Sequence, residues 1–464
     1  MSPSETSLSS SQESFLRGLF PGDDCLLEPE EKLIFGADAG RGYAPPLAVV
    51  RPCNQGQIVE LLRFAHTEQI PIYPRARGTN VVGDCVPETP GIVVSTLKMN
   101  AVKAIDENDF VAVVEPGVVT SDLQAAAEAK KLFYPPDPAS MRISTIGGNV
   151  ATCAGGMRAL KYGVTRDYVL GMTAVLPGGE VITTGGRAHK NVVGLDLTRL
   201  LVGSEGTLAF ITELIIKLLP LPEATASLLV GYSSLEQALD AARDVFAAGI
   251  LPACLELIAG QSIYCLGQVT DVPWPENTQA ALLFRVDGSR RAVDADMDRL
   301  IEVIKTGSPS SLDQGRTPEA EEQLWEVRRM INPASFQAGP NKLADDIAVP
   351  RGALKEALTG VETICADIGL PVLNFGHLGD GNIHVNVMYD KAVPGQSDLA
   401  SQAKEKILDL TLSLGGTVSG EHGIGYAKKP FLQESLGDSG MNLLNAIKQA
   451  FDPKMILNPG KVCS

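Results

Sequence analysis

Three glycine-rich segments in the first half of the sequence constrain its fold more than any other feature. They span residues 74–83, 144–156 and 203–207. Glycine lets backbone N–H groups approach an anion because no Cβ stands in the way, and interleaved Ser and Thr hydroxyls add hydrogen-bond donors. One such segment is best read as a turn, but three together predict a bound cofactor with a diphosphate group. Neither GxGxxG nor GxxxxGK[ST] occurs, so the two commonest phosphate-binding loops are excluded.

Length and composition predict a globular protein of two or three domains. The chain has 464 residues, of which 44% are hydrophobic and 20% charged. The net charge of −16 opposes broad binding to nucleic-acid phosphates or anionic membranes. The serine-rich start carries no basic residue and no apolar run, so it does not predict a signal peptide, and no apolar run is long enough to predict a transmembrane segment. We therefore expect a soluble, cytoplasmic protein that reaches a membrane only through a partner.

The eight cysteines are dispersed along the chain, and no CxxC pair occurs. This spacing excludes the usual zinc-ribbon and ferredoxin-type ligand sets. Scattered cysteines in a chain of this size predict buried thiols in a reducing compartment.

Apolar periodicity predicts an α+β architecture with a domain boundary near residue 222. Strands and helices alternate from residue 46, and the pattern changes after LLPLPEA at residues 218–224. We expect an N-terminal tail with a short helix over residues 1–41, a first domain over 42–221 and a second domain over 222–464. Asn54 is the expected N-cap of the first domain's leading helix, and Thr120 or Ser121 that of a helix over 122–131.

The second half contains a cluster of metal-ligand and base residue types. His377 and His384 flank a turn signal, so reversal of the chain there brings both imidazoles to one face, which Asn386 shares. Downstream, Glu421 and His422 stand side by side in a glycine-dense turn. Two His and one Glu are a normal ligand set for Zn²⁺ or a similar ion, and His422 would then serve as a base. The remaining two histidines, at positions 66 and 189, are read as ordinary core or surface residues.

The motifs of the first half resemble one known flavin domain. In order they are PRARGTN, VEPG, YPPDPAS, STIGGNVATCAGG, KYG and GSEGTLAFITE, and they resemble the FAD-binding domain of the vanillyl-alcohol oxidase and p-cresol methylhydroxylase type over about residues 42–221. Ala76 and Arg77 depart from a frequent glycine run, and Cys153 replaces an Asn. Family members with covalent flavin often carry a His in these loops; none occurs here, so the resemblance implies non-covalent FAD. The implied FAD contacts are Arg75, Ala76, Arg77, Gly78, Thr79, Asn80, Gly83, Pro136, Asp137, Ser140, Ser144, Thr145, Ile146, Gly147, Gly148, Thr152, Gly155, Gly156, Tyr162 and Ile211.

The second half resembles the C-terminal domain of FAD-linked 2-hydroxy-acid dehydrogenases over about residues 225–464. The motifs are GHLGDGNIHVN, SGEHGIG and the terminal NPGKV. That family includes D-lactate and D-2-hydroxyglutarate dehydrogenases and the flavoprotein subunit of glycolate dehydrogenase. The resemblance implies a divalent metal, Zn or Mn, on His377, His384 and Glu421, with His422 as the base.

Further residues are assigned substrate or flavin roles by the same resemblance. Arg328, in LWEVR, is the residue expected to bind the substrate carboxylate, a task that suits a bidentate guanidinium, with a helix-surface arginine as the alternative. Lys342 is a weaker candidate for that carboxylate, and Asn386 is a third substrate candidate. Asn458 is expected to reach the flavin, with an ordinary C-terminal turn as the alternative.

The expected activity is oxidation of a small D-2-hydroxy acid to a 2-oxo acid, with hydride transfer to flavin N5. Residues 325–351 look most like glycolate dehydrogenase flavoprotein subunits, so glycolate comes first, D-lactate second and D-2-hydroxyglutarate third. Electrons would leave through an iron–sulfur subunit, a quinone or a soluble carrier. A zinc hydrolase would need neither flavin motif and would be expected to carry HExxH, which is absent, whereas a non-catalytic accessory flavoprotein subunit remains the alternative from another class.

Overall fold

The computed structural model describes residues 7–40, 42–270, 275 and 277–463, and these form two compact units. The first unit comprises the chain through Gly155, Val164–Leu221 and the chain from Glu421 onward. The second unit comprises Gly156–Gly163 and Pro222–Gly420. The units change over at residue 222, and the segment after residue 420 belongs with the first unit and not with the residues that precede it.

Strands and helices alternate along most of the chain, and both are numbered in chain order. The strands are β1 Cys25–Leu26, β2 Ala48–Val50, β3 Ile72–Arg75, β4 Ile92–Ser95, β5 Val102–Asp106, β6 Val111–Val114, β7 Leu132–Phe133, β8 Val169–Val175, β9 Val181–Gly185, β10 Phe210–Lys217, β11 Leu219–Pro220, β12 Ala224–Tyr232, β13 Cys254–Ala259, β14 Ala280–Gly288, β15 Ser311–Gly315, β16 Asn341–Ala348, β17 Val372–His377 and β18 Asn382–Tyr389. The helices are α1 Ser10–Leu19, α2 Pro29–Lys32, α3 Gln55–Glu68, α4 Thr120–Glu128, α5 Ile146–Thr152, α6 Ala159–Tyr162, α7 Leu197–Leu201, α8 Leu235–Ala247, α9 Gln261–Gly267, α10 Arg290–Thr306, α11 Pro318–Ser335, α12 Leu354–Ile368, α13 Gln396–Ser413 and α14 Lys429–Phe451.

The first unit contains a small mixed sheet and a larger antiparallel sheet. The small sheet has the order β1-β2-β4-β3, in which β4 runs parallel to both β2 and β3. The larger sheet has the order β5-β6-β10-β8-β9 and is antiparallel throughout. Helix α3 begins at the expected N-cap, where the Asn54 side chain accepts the Gln57 N–H, and it buries its apolar stripe in the core of the unit.

The start of the described chain is part of this core. The expected tail over residues 1–41 includes residues 1–6, which lie outside the described residues. Helix α1 begins with a capping box between Ser9 and Gln12, and Leu16 and Phe20 are fully buried. Burial of these two side chains stabilises the segment, so it packs as an element of the first unit.

The second unit is built on one antiparallel sheet of seven strands in the order β15-β12-β14-β13-β17-β18-β16. Strands β17 and β18 form the expected hairpin, whose turn includes Gly381 at a φ of +87°. A Cβ on Gly381 would lie 2.1 Å from the Val349 carbonyl oxygen, so only glycine fits this turn. Together with the helices that cover the sheet, this arrangement confirms the α+β class.

One helix starts at a different N-cap from the expected one, and another contains a break. Helix α4 begins at Thr120 with Val119 as the N-cap, because the Thr120 side chain is turned to Ser144 instead of capping. Helix α14 contains a break at Gly437, which has a φ of +64°. None of the helices in the described part of the chain combines the length and the apolar character that a bilayer crossing requires.

Candidate active site

A cavity of about 240 Å³ lies in the first unit, and all three glycine-rich segments line it. Many of the expected FAD contacts are among its walls. These are Arg75, Ala76, Gly78, Thr79, Asn80, Ser140, Ser144, Thr145, Gly147, Gly148, Thr152, Gly155 and Ile211. Glu421 and His422 line the same cavity, so the turn that carries the proposed base belongs to the wall of the expected flavin site.

The other expected FAD contacts do not line the cavity. Arg77 is exposed, and Ile146 is fully buried beneath the loop. The Gly83 N–H donates to Asp38, the Pro136 carbonyl accepts from Gln124, and Asp137 is buried. The remaining ones are Gly156, Tyr162 and Asn458. Gly156 and Tyr162 belong to the second unit, where the Tyr162 hydroxyl donates to Asp287 at 2.7 Å.

Two glycines of the cavity wall are required by close packing against neighbouring residues. At Gly147 a Cβ would lie 2.5 Å from the Pro116 Cβ and 2.8 Å from the Pro116 carbonyl oxygen. At Gly78, which has a φ of +64°, a Cβ would lie 2.3 Å from an Arg75 guanidinium nitrogen. These contacts explain why the segments are glycine-rich, and the Ser and Thr hydroxyls among the lining residues are donor groups that suit a diphosphate. The cavity residues therefore fit a flavin dinucleotide.

The Arg75 side chain supports the cavity wall from behind. It is 8% exposed, and its guanidinium donates to the carbonyls of Ile34 and Ala37 and to the Cys85 thiol. Because these partners occupy the guanidinium, Arg75 holds the first glycine-rich segment in place as a structural cation.

The cavity wall contains two buried acids, Glu205 and Asp84, that were not predicted from the sequence. Burial, reinforced by the charge of Asp84, raises the pKa of Glu205 to about 7 even though two backbone N–H groups and Lys461 favour its anion. Burial and the charge of Asp38 raise the pKa of Asp84 to about 6. The Oδ1 atom of Asp84 is buried without a hydrogen-bond partner among the described residues, as expected of a wall built to face a polar ligand. The glycines around Glu205 were the only sequence signal for it.

The His422 segment is held on two sides within the first unit. Asn80 donates its amide to the His422 carbonyl oxygen at 2.8 Å. The two oxygens of Glu205 accept the N–H groups of Ile424 and Gly425 at 2.7 and 2.8 Å. Bonds on both sides of His422 fix the backbone of this turn.

Asn458 acts on the cavity through its neighbours. It is 1% exposed, and its amide donates to the carbonyls of Asp84 and Glu205, which both line the cavity. Nearby, the fully buried Lys461 ammonium donates to the Val86 carbonyl at 2.7 Å. The C-terminal motif therefore braces the wall of the cavity.

In the second unit, the β17–β18 hairpin brings His377 and His384 together. Their ring centroids are 5.1 Å apart and the rings are nearly perpendicular. The register pairs His377 with Asn382 and Phe375 with His384, so both imidazoles project from the same face of the sheet, as the turn signal predicted. Two imidazoles at this separation are a suitable donor pair for a zinc-like ion.

A fully buried carboxylate that no sequence motif indicated joins this pair to Arg328. Glu256 of β13 accepts a hydrogen bond at 2.7 Å from Arg328 Nε and lies 2.7 Å from His377 Nδ1. Burial alone would raise the pKa of Glu256, but its interactions with His377 and Arg328 bring that pKa below its usual value. Its position in an apolar strand, CLELIA, is the only signal that could have identified it.

The other expected substrate residues lie in the same unit. Asn386 shares the sheet face of His384, is 3% exposed, and its Nδ2 has no hydrogen-bond partner among the described residues. Lys342 lies on β16 close to the Asn332 side chain, and burial lowers its pKa. Gly420, the last residue of the second unit, donates its N–H to Asp346 at 2.8 Å, and Asp346 pairs with His384 in the sheet. Glu421 follows directly along the chain.

Comparison with known protein families accounts for both halves of the chain. Residues 221–462 match the family model described as FAD linked oxidases, C-terminal domain, and residues 46–185 match the FAD binding domain family. The chain belongs to the FAD-linked oxidase family, and it is an FAD-linked oxidoreductase of the glycolate oxidase and D-lactate dehydrogenase type.

Named relatives support this placement over nearly the whole chain. The chain is 40% identical to the glycolate oxidase subunit GlcD of Bacillus subtilis strain 168, covering 93% of this chain and 92% of that protein. It is 35% identical to the D-lactate dehydrogenase of Anaerostipes hadrus, covering 91% and 90%. The solved structure of p-cresol methylhydroxylase with substrate bound has a TM-score of 0.82 at 18% identity, covering 97% of this chain and 95% of that one, which confirms the p-cresol methylhydroxylase-type fold.

Proposed function

We propose that this protein is an FAD-dependent dehydrogenase that oxidises a small D-2-hydroxy acid, with glycolate first and D-lactate second, to the corresponding 2-oxo acid. The observation that carries the proposal is the arrangement around Glu256, where one carboxylate holds both an imidazole of the candidate metal pair and the arginine expected to bind a carboxylate. The names of the relatives, a glycolate oxidase subunit and a D-lactate dehydrogenase, agree with this substrate class.

Arg328 binds the substrate carboxylate in this proposal. Its side chain is only 13% exposed, and its Nε is already paired with Glu256. A guanidinium anchored on one edge can offer its terminal nitrogens to a carboxylate in a planar, two-pronged pairing. The buried amide nitrogen of Asn386, which has no partner within the described chain, can donate to a polar group of the same substrate, and Lys342 is the second candidate cation.

His377, His384 and Glu421 are proposed to hold a divalent metal, zinc or manganese. The pair of imidazoles and a carboxylate form a normal donor set for such an ion. When bound, the ion would lower the pKa of the substrate hydroxyl. The His422 imidazole then takes the hydroxyl proton, and the bonds from Asn80 and Glu205 keep its backbone in place for this step.

FAD is proposed to bind non-covalently in the cavity of the first unit, where it would accept the substrate hydride and carry the redox chemistry. The cavity supplies glycine backbone and hydroxyl groups. Among the described residues that line it, His422 has the only imidazole to which a flavin could be attached covalently, and this imidazole is proposed as the base. We further propose that the electrons pass on to a separate acceptor, such as an iron–sulfur subunit, a quinone or a soluble carrier. The dispersed cysteines of this chain provide no cluster-binding motif.

The decisive experiment is anaerobic reduction of the purified flavoprotein with a panel of acids. Glycolate, D-lactate and D-2-hydroxyglutarate are added separately, with L-lactate as the stereochemical control, and flavin reduction is followed at ~450 nm. We expect reduction by glycolate or D-lactate and none by L-lactate. A flavin that dithionite reduces but that stays oxidised with all three acids would contradict the proposal and favour an accessory subunit. Preferential reduction by D-2-hydroxyglutarate would move the substrate to the larger acid.

A further inference from the structure

The side chain of Glu256 has two neighbours of different kinds, one on each oxygen. Oε1 lies 2.7 Å from His377 Nδ1, and Oε2 accepts from Arg328 Nε at 2.7 Å. The carboxylate itself is fully buried, while His377 is 8% and Arg328 13% exposed at the side chain. A buried carboxylate needs partners that offset its negative charge. Any cation could do this, so the charge alone does not explain why the partners of Glu256 are a candidate metal ligand and a candidate substrate-binding residue.

The contact with His377 determines which ring nitrogen can bind a metal. A carboxylate that is ion-paired with an arginine offers only acceptor oxygens, so the His377 Nδ1 must carry the hydrogen of their bond. The lone pair of the neutral ring then lies on Nε2, which becomes the metal-binding atom. A hydrogen-bonded carboxylate also raises the basicity of the imidazole and fixes the orientation of its ring.

The contact with Arg328 orients the guanidinium in a similar way. Nε is engaged with Glu256, and the guanidinium carbon lies 5.0 Å from the centroid of the Phe375 ring. These two contacts hold the guanidinium plane from its inner edge and its face. The terminal nitrogens, which are the pair that binds a carboxylate, are outside both contacts.

We propose that Glu256 is a positioning residue that sets the metal-binding nitrogen of His377 and the carboxylate-binding edge of Arg328 at the same time. The inference rests on the proposed function. It adds Glu256, which lies outside the GHLGDGNIHVN and LWEVR motifs. It predicts that one substitution weakens metal binding and substrate binding together.

The chain offers a matched control in a second buried acid of the same unit. Glu321 is 5% exposed and pairs with Arg285, while its oxygens also accept the hydroxyls of Thr225 and Ser227. Glu321→Gln therefore removes a buried Glu–Arg ion pair without touching His377 or Arg328. Any effect of lost ion pairing on general stability should appear in both variants.

The test compares Glu256→Gln, Glu321→Gln and wild type as full-length, FAD-bound protein. Chelator-stripped samples are titrated with Zn²⁺ against a competing indicator, and KM for glycolate and D-lactate is measured after metal is restored. We expect Glu256→Gln to weaken Zn²⁺ binding about 10–100-fold and to raise KM about tenfold or more, with both values for Glu321→Gln near wild type. Equal Zn²⁺ affinities in the two variants would overturn the positioning role. Wild-type protein that takes up no Zn²⁺ would instead overturn the proposed metal site, and this inference with it.

A second measurement needs no Glu256 variant and so does not depend on its folding. Full-length, metal-free wild-type protein is labelled with ¹⁵N-histidine, and the His377 signals are assigned by their loss in His377→Gln. We expect the shifts of a ring protonated at Nδ1 and unprotonated at Nε2. The opposite tautomer would overturn the inference.

Discussion

At the scale of single residues, His422 carries the most specific chemical prediction. His422→Ala should lower turnover at least 100-fold, because a positioned general base typically contributes a factor of about 10²–10⁴. FAD content should stay near wild type, since the His422 carbonyl and the N–H groups of Ile424 and Gly425, which hold this segment in the first unit, are kept in the variant. The measurement is flavin reduction in a single turnover by stopped flow. Near-normal reduction with FAD bound would remove His422 from its role as base.

Arg328 and Arg329 form a natural pair for comparison on helix α11. Arg328 pairs with the buried Glu256, whereas Arg329 lies at the surface with Glu322. Arg328→Lys should reduce kcat/KM for glycolate about 10–100-fold, because a lysine cannot reproduce the planar, two-pronged pairing. Arg329→Lys should leave it within about twofold. If the two variants have equal kinetics, the substrate cation lies elsewhere, and Lys342 becomes the next candidate.

At the scale of secondary-structure elements, alanine substitutions can test whether a glycine is needed for close packing or is only part of a loop. Gly147→Ala should reduce FAD occupancy strongly, because the added Cβ would collide with Pro116 and displace the cavity wall. Gly186→Ala is the control, since a Cβ there meets nothing within 4 Å. The ratio of flavin to protein absorbance after purification tests both. Full occupancy in Gly147→Ala would show that the segment tolerates displacement.

The sequence predicted elements well wherever one local rule determined them. Asn54 is the N-cap of α3, as expected, and the Asp380–Gly381 signal forms the turn that brings the histidines to one face. It could not predict contacts that depend on strand order. Glu256 lies beside His377 only because β13 pairs with β17, and these strands are more than a hundred residues apart in the chain. The same limit applies to Glu205 and the His422 turn.

At the scale of the whole molecule, the two buried acids of the cavity wall couple stability to pH. Asp84 and Glu205 have pKa values of about 6 and about 7, against ordinary values of 3.8 and 4.5 for these side chains. Between about pH 4 and pH 7 the folded protein therefore binds more protons than the unfolded chain, and the free energy of unfolding falls as pH rises through that window. These groups contribute their full stabilisation below the ordinary pKa values and lose it above the raised ones.

The corresponding experiment follows thermal release of flavin fluorescence, which reports on the first unit. Wild-type protein should release FAD at a lower temperature at pH 8 than at pH 5, by roughly 2–4 °C for each kcal/mol lost. Asp84→Asn should show a smaller difference, because it removes one titrating acid and its repulsion of Glu205. An identical pH difference in both proteins would rule out this acid pair as its source.

The return of the chain after Gly420 to the first unit imposes an order on biosynthesis. Ile72 of β3 bonds with the backbone of Ile456 and Asn458, and the buried Lys448 ammonium reaches the carbonyls of Thr207 and Leu457. On the ribosome, the flavin-binding half emerges first but lacks these contacts until the second unit has been translated. The nascent protein should therefore acquire its flavin late, after the residues beyond Gly420 have left the exit tunnel, and a fragment of residues 42–221 should not retain it.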